Sequence, residues 1–428
     1  MVLNILQKLI LILFFSLNAQ AKELKTITAQ QFIDQKPSLE RQQIINFIMH
    51  QFDSKKDIGV TQSRLDKLWG NEILRKKYMM ARFQIVNQKL YADSYYIGHY
   101  YFPILLQYFQ KLIENYKIND VDFIIYLREE IPMSESLGKG TTGIPAFIMF
   151  QDLNSEYETD KLLFPDAFFM KENKNASWIT LTTKIQEAKQ NNSWDKKINK
   201  LFWRGVTTGD FHPYTIDNFS KLPRLTLSVL SKLYPNLIDS EFSYYSPQMR
   251  YEHYGPNLLK FCEILFSKKP KGVKEIDHLK YKYLVSLDGN AATGTRVAWI
   301  MLSNSVLVKQ ESKKIQWYYS ALKPYVNYVP LKHDLTDIFK QINWIEENND
   351  KLKEISNNAQ IFASNNLMAE HIEVHVALLL NEYSKLQKDK EIIPSLTPAE
   401  DVISITSTIG MLLHRLKLYF SERVDTWL

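Results

Sequence analysis

Four cations recur at one kind of place in the second half of the chain. Arg204, Arg224, Arg296 and Lys309 each stand just after an apolar, strand-like run or at the first turn of a helix-like one. Basic groups at such positions, beside the unpaired N–H groups of a helix start, stabilise an anion, most simply a diphosphate. Taken singly, each reads as a surface ion pair of little energetic weight. Four on one sheet edge could offset the charge that builds on a diphosphate leaving group. In the first half, Glu129 and Glu130 follow the apolar run VDFIIYL. A carboxylate there can take a proton from an attacking hydroxyl, while Arg128 holds it ionised or binds a substrate anion. Neighbours on extended backbone point to opposite sides, so only one of the two glutamates faces a given cleft. The competing reading is a solvated charge cluster at a loop start.

Other motifs carry less. Asp120-Val121-Asp122 spells D-x-D, a pair that can hold Mg²⁺ or Mn²⁺ between phosphates. It precedes its strand, so its carboxylates belong to the amino edge and read as turn residues; no metal ligand is assigned. The nine histidines include no HExxH pairing. Cys262 is the single cysteine, which excludes an intrachain disulfide, and its setting in LLKFCEILF reads as helix core rather than nucleophile. Neither a phosphate-loop lysine motif nor a G-x-S-x-G elbow occurs. Trp317, Tyr318, Tyr319, Tyr325 and Tyr328 read as packing, with a sugar or base platform as the lesser role.

These residues need elements to position them. Residues 283–287 read as a strand, 296–303 as a helix and 305–308 as a second strand, joined by a loop that carries Asp288, Gly289, Asn290 and Gly294. That is a βαβ unit, and its loop lies at the carboxyl edge of the sheet, where open α/β folds bind ligands. KLFWRGVTTG supplies another strand followed by Gly205, Thr207, Thr208 and Gly209, and residues 223–234 a helix with Arg224 near its start. Residues 26–118 read as helical, 121–127 as a strand buried on both faces, IPAFIMF as a second strand, and Pro165-Asp166 as a turn. Residues 236–270 read as irregular apart from the helical pattern around Cys262. His333-Asp334-Leu335 reads as a helix start, WIEENNDKLKEISNNAQIFASNNL as one long amphipathic helix, and the last fifty residues as helical.

At 428 residues the chain is long enough for two cores, and the polar stretch 171–197 is the expected boundary between them. The net charge of +6 is dispersed, which gives no nucleic-acid groove but suits an anionic substrate or lipid surface. Lys8, an apolar run and Ala19-Gln20-Ala21 fit a secretory signal, or a short anchor if the segment is retained.

The segments FWRGVTTG, RLTLSVLSKLYPNLIDSEF, KYKYLVSLDGNAATGTRVAWIMLSNSVLVKQES, WYYSALKPYVNYVPLKHDL and AQIFASNNL, in that order, cover roughly residues 200–370. Together they resemble glycosyltransferase family 90, whose members include protein O-glucosyl- and O-xylosyltransferases and lipopolysaccharide-modifying enzymes. The resemblance implies an α/β fold of GT-B type: two Rossmann-like domains facing across a cleft, here at 22–197 and 198–375, with a helical tail at 376–428 and the leader or anchor at 1–21. It implies an inverting, metal-independent transfer from a UDP-sugar to a glycan or glycolipid hydroxyl, the UDP-sugar acting as co-substrate and no cofactor being needed. By the same resemblance Glu129 aligns with the base, a role Glu130 could take, and Arg204, Thr207, Thr208, Arg224 and Arg296 match donor-contacting positions, with Asp288 and Gly289 in the adjoining turn. Gly205 and Lys309 are expected on the same donor side from their places at the strand ends.

The chain departs from the family pattern at three places. The base position carries Glu in place of Asp, the DGNAATGTR loop is one residue longer before its Arg, and Asn327 replaces a His before Tyr-Val-Pro. The expected activity is modification of a cell-surface glycan, lipopolysaccharide first, at the cytoplasmic face of a bacterial inner membrane. Alternatives are a protein O-glycosyltransferase in a secretory lumen and a sugar-nucleotide-binding protein without catalysis.

Overall fold

A computed structural model of the chain describes residues 25, 39–53, 55–127, 143–153, 161–172, 177–209, 219–246, 249 and 255–405. Glu129 and Glu130, the candidate bases, and the leader or anchor at 1–21 lie outside the described residues. Helices α1 (Leu39–Asp53), α2 (Gln62–Gly70) and α3 (Glu72–Tyr78) come first, α2 capped by the Thr61 hydroxyl and α3 by the Asn71 side chain.

The helical reading of 26–118 then fails. Strands β1 (Met80–Val86) and β2 (Lys89–Ala92) form an antiparallel hairpin. Asn87 and Gln88, at φ 49° and 59°, make the two-residue turn whose double positive φ matches strand twist. All seven β1 residues are buried, so the run lacks a polar face and resembles a core helix. The alternation Arg82, Phe83, Gln84, Ile85 was the available signal.

Helix α4 (Tyr101–Asn115) packs on β2, and the predicted buried strand is β3 (Val121–Tyr126), every residue of which is buried. It runs antiparallel to β1 and parallel to β4 (Ala146–Ile148), which is followed by the short β5 (Gln151–Asp152) and by β6 (Lys161–Leu163), parallel to β4. Of the D-x-D pair, expected as turn residues, Asp120 accepts from Asn87 N at 2.8 Å beside the hairpin turn, whereas Asp122 lies inside β3. Asp122 is fully buried and accepts two hydrogen bonds from Arg82, at 2.9 and 2.7 Å, and one from Gln84. After β6 come the Pro165-Asp166 turn, α5 (Ala167–Met170) and α6 (Trp178–Asn191), the latter showing solvent a polar face.

The second sheet is wholly parallel. Its strands are β7 (Ile198–Val206), β8 (Ile238–Tyr244), β9 (Tyr281–Ser286), β10 (Val306–Gln310) and β12 (Val329–Leu331), in the order β12-β10-β9-β7-β8. Helix α7 (Pro223–Leu233) follows β7, α8 (Gly255–Leu265) and α9 (Glu275–His278) follow β8, and α10 (Arg296–Leu302) joins β9 to β10. The expected βαβ unit is therefore present. Residues 238–244, read as irregular, form an edge strand whose alternating burial was hidden by its serines and acidic residues.

Between β10 and β12 lies β11 (Lys314–Ile315), which pairs antiparallel with β5 and so stitches the two halves together. The expected helix start at 333–335 is instead a turn with Leu335 at φ 61°, and α11 (Ile338–Glu347) begins three residues later. The long helix is two, because α11 ends at Asn348 (φ −123°, ψ 41°) and α12 (Asn349–Asn366) starts anew. Helix α13 (Ala369–Ser384) packs on β3, and β13 (Thr397–Pro398) pairs with β2 as the edge of a mixed sheet ordered β13-β2-β1-β3-β4-β6. The region expected to be a helical tail thus returns to the first half and contains a strand.

The fold is α/β, as expected, with two main sheets joined by the β5–β11 pair, and the first sheet is mixed rather than wholly parallel. Side chains alternate across the second sheet. Phe202, Leu284 and Leu307 face one core, which continues through α10 and α13 into the first sheet. Leu201, Trp203, Tyr283, Val285 and Leu287 face a separate core closed by α7, α8 and α11. Cys262 is buried in that second core, and burial pushes its thiol up to about 12, so it is an inert packing residue.

Candidate functional site

The sheet order makes one crevice special. The chain leaves β7 for β8 on one side and then returns to β9 on the other, so the connections diverge between the carboxyl ends of β7 and β9. Such a switch point opens a crevice that ligands of α/β sheets occupy. Arg224, in the first turn of α7, spans it. Its Nη1 donates to the Val206 carbonyl at 2.9 Å and to the Thr208 hydroxyl at 2.6 Å, and its Nη2 to the Leu287 carbonyl at 2.9 Å. The guanidinium also stands 5.6 Å from the Trp203 ring centroid. One cation therefore clamps the ends of both strands and holds positive charge at the crevice floor.

Gly289 completes the clamp by being small. A Cβ on it would stand 2.9 Å from both Arg224 Nη2 and Thr208 Oγ1, closer than side chains approach. Asp288, beside it, is buried and receives the Ser312 hydroxyl, while its backbone N–H donates to Gln310 Oε1 at 2.8 Å. Burial raises the Asp288 carboxyl, and Lys309, Ser312, Lys314 and Arg224 oppose that rise. Lys309 is buried against the Tyr319 ring, 4.7 Å from its centroid; burial lowers its ammonium while Asp288 and Glu311 hold it up.

The loop from Asp288 to Arg296 is fixed by side chains the sequence reading did not single out. Lys314 Nζ donates to the carbonyls of Gly289 at 2.8 Å and Asn290 at 2.6 Å, and Gln316 Nε2 to that of Gly294 at 2.7 Å. Gly294 is at φ 52°, a conformation glycine adopts readily. A Cβ there would lie 3.1 Å from Asp166 Oδ2, so the turn after β6 brings a carboxylate of the first half against this loop. Lys314, Ser312 and Gln316 belong to the run QESKKIQ, which reads as a solvated charge cluster. Their proximity to the carboxyl end of β10 was the signal to follow.

The other expected donor residues separate into groups. Thr208, Arg224, Asp288, Gly289 and Lys309 surround the carboxyl ends of β7, β9 and β10. Thr207 is turned inward, its hydroxyl accepting from Ser246 N at 2.8 Å and contacting Met249 Sδ at 3.0 Å. Gly205 lies against Trp203, whose ring a Cβ would meet at 2.4 Å. Arg204 folds back along the strand: Nη2 donates to Asp239 Oδ1 at 2.6 Å and Nη1 to the Asp239 carbonyl at 3.0 Å. Burial pushes the Asp239 carboxyl up, but hydrogen bonds from Tyr281 and Arg204 outweigh it and leave it below its ordinary value. Arg296, partly buried, donates through Nη2 to the Arg204 carbonyl at 2.7 Å, and burial lowers its guanidinium to about 10, so it stays charged at neutral pH. The four cations therefore do not converge on one point. Arg224 clamps the switch point, Lys309 lines the same edge, and Arg204 and Arg296 brace the β7 backbone.

Among the described residues no group of three His, Cys, Asp or Glu side chains is placed to hold a metal ion. Among them, too, no helix is long and apolar enough to cross a membrane.

The sequence model of the family described as Glycosyl transferase family 90 matches residues 43–405, most of the chain. The chain belongs to glycosyltransferase family 90. This family 90 chain is 29% identical to protein O-glucosyltransferase 2 of Danio rerio over 197 residues, 46% of this chain and 35% of that protein. It is 31% identical to protein O-glucosyltransferase 3 of Mus musculus over 202 residues, 47% and 35% of the two chains. With protein O-glucosyltransferase 1 of Rattus norvegicus it shares 30% identity over 192 residues, 45% and 43%. The matches thus span about a third to two fifths of the length of those relatives. Among solved structures the family 90 chain is similar to Anabaena HepE in complex with UDP and glucose, at 12% identity and a TM-score of 0.35, covering 64% of this chain and 74% of that one.

Proposed function

We propose that the protein is an inverting glycosyltransferase that moves a hexose or pentose from a UDP-sugar to a hydroxyl of a cell-surface glycan, lipopolysaccharide being the expected instance. The observation that carries this reading is the Arg224 clamp at the β7/β9 switch point, in a chain of family 90. Held charge at the strand ends suits a diphosphate better than a neutral ligand, because fixed donors and cations need no reorganisation as charge develops. In the proposed reaction Glu129 or Glu130 takes the proton of the acceptor hydroxyl. The oxygen attacks C1 of the sugar, the C1–O bond to the diphosphate breaks, and UDP leaves with the bonding pair. Arg224 and Lys309 offset that charge without a metal ion. The segment 1–21 acts as an anchor at the cytoplasmic face of the membrane, where UDP-sugars are made.

A second reading, transfer to a protein hydroxyl, is favoured by the names of the relatives, protein O-glucosyltransferases. Release of UDP from UDP-glucose, measured with a lipid-glycan acceptor and with a folded protein acceptor, separates the two. Full turnover in both Glu129→Gln and Glu130→Gln would refute the base assignment.

A further inference from the structure

Away from the nucleotide edge, a groove of about 670 Å³ opens between α5 and α6 on one side and residues 274–276 with Thr295 on the other. Its wall includes Trp178, held rigidly because Nε1 donates to the Leu367 carbonyl at 2.7 Å. Lys171, Lys184 and Lys274 line it, with Glu275 as the only carboxylate among the described lining residues. Glu172, the acidic neighbour of Lys171, is turned away to Lys111 at 2.6 Å. The Phe168 ring is 38% exposed at the groove, and the Tyr100 ring, 51% exposed, lies 5.9 Å from it. Lys171 Nζ donates to the Tyr100 hydroxyl at 2.7 Å and so is held beside both rings.

The groove borders the loop that runs from Asp288 to Arg296. Phe168 is two residues beyond Asp166, which abuts Gly294, and Thr295 immediately precedes Arg296. Exposed rings next to lysines suit one chemistry well. The C–H face of a pyranose packs on an aromatic ring, and its acidic substituents are drawn to the ammonium groups. The Ser177 and Thr180 hydroxyls add neutral partners for sugar hydroxyls. A neutral glycan would leave the excess of lysine charge unanswered.

We propose that this groove is the acceptor subsite and that it takes an anionic oligosaccharide, with sugar rings on Phe168 and Tyr100 and acidic groups at Lys171, Lys184 and Lys274. The proposal deepens the glycosyltransferase reading and rests on it. The test is calorimetric titration of the full chain with tetragalacturonate, maltotetraose, phosphatidylglycerol vesicles and UDP, each separately. Tetragalacturonate is expected to bind at least tenfold more tightly than maltotetraose. Its affinity should fall about tenfold in the Lys171→Gln/Lys184→Gln double variant and in Phe168→Ala, with UDP affinity unchanged in both. Equal affinity in wild type and variants, no preference for the anionic sugar, or binding to the vesicles alone would each overturn the subsite. Absence of UDP binding in wild type is a separate readout, and it counts against the donor reading rather than against the groove.

Discussion

Arg224 donates to the Leu287 carbonyl at 2.9 Å, bridging from the first turn of the helix after β7 to the end of the neighbouring strand β9. The same guanidinium reaches the Val206 carbonyl and the Thr208 hydroxyl, so most of its hydrogen bonding holds the crevice in shape. Its charge remains at the crevice where the proposed diphosphate would lie. Replacing it with Lys keeps a charge but loses the planar fork that serves three acceptors. Hydrogen bonds to a charged group contribute about 1.5–3 kcal/mol each. Steady-state measurement of UDP release in Arg224→Lys is therefore expected to show kcat/KM about 10- to 100-fold lower, with a folded circular dichroism spectrum.

Gly289→Ala tests the closeness of that clamp. The added methyl meets Arg224 and Thr208 at 2.9 Å, while the backbone at this position needs no unusual φ. The fold should survive at a cost of about 1–3 kcal/mol, read as a lowered unfolding midpoint. UDP affinity should fall, since the Arg224 guanidinium must move. Unchanged UDP affinity would show that the clamp does not shape the binding site.

The buried pair Arg82–Asp122 is expected to matter for stability and not for metal binding. Removing Asp122 leaves the buried Arg82 to the exposed Asp66, 2.7 Å away, and costs about 3 kcal/mol, the low end for a broken buried pair. Asp122→Ala should therefore unfold at markedly lower denaturant concentration. Added Mn²⁺ should not restore it, and EDTA should leave wild-type turnover unchanged; metal-dependent rescue would return the D-x-D pair to a metal-binding role.

Acid should destabilise the fold through two histidines. Burial holds both His278 and His375 neutral, with folded values of about 3, and Arg296 near His278 pushes in the same direction. His375 lies fully buried, its ring centroid 4.2 Å from that of Trp317. The unfolded chain binds these protons near pH 6.5, so stability is fully present above that pH and is lost as pH falls from 6.5 toward 3. By pH 5.5 the loss is about 1.4 kcal/mol per histidine. Urea midpoints at pH 7.0 and 5.5 measure it, and His375→Phe should flatten the dependence.

How much of this was legible follows physical lines. The continuous apolar runs before Arg204 and Asp288, the glycines after them and the helix signals at Pro223 and Arg296 are local, and each led to the right element. The β1–β2 hairpin was missed because a strand buried throughout carries the same composition as a core helix. Arg204 reads as an anion binder because its position along the strand is local information, whereas its partner Asp239 sits on a neighbouring strand 35 residues away. Lys314 is illegible for the converse reason. Its charge run looks solvated until β11 folds against β5 and carries the side chain onto the carbonyls of Gly289 and Asn290. The turn at Asn348 had no proline or glycine to announce it.

The central claim is that the β7/β9 switch point holds the diphosphate of a UDP-sugar, and calorimetric titration of the full chain with UDP tests it most directly. The account predicts saturable binding that is competed by UDP-glucose and weakened at least tenfold in both Arg224→Lys and Gly289→Ala. Absence of UDP binding at millimolar concentration, or binding undiminished in both variants, would contradict it.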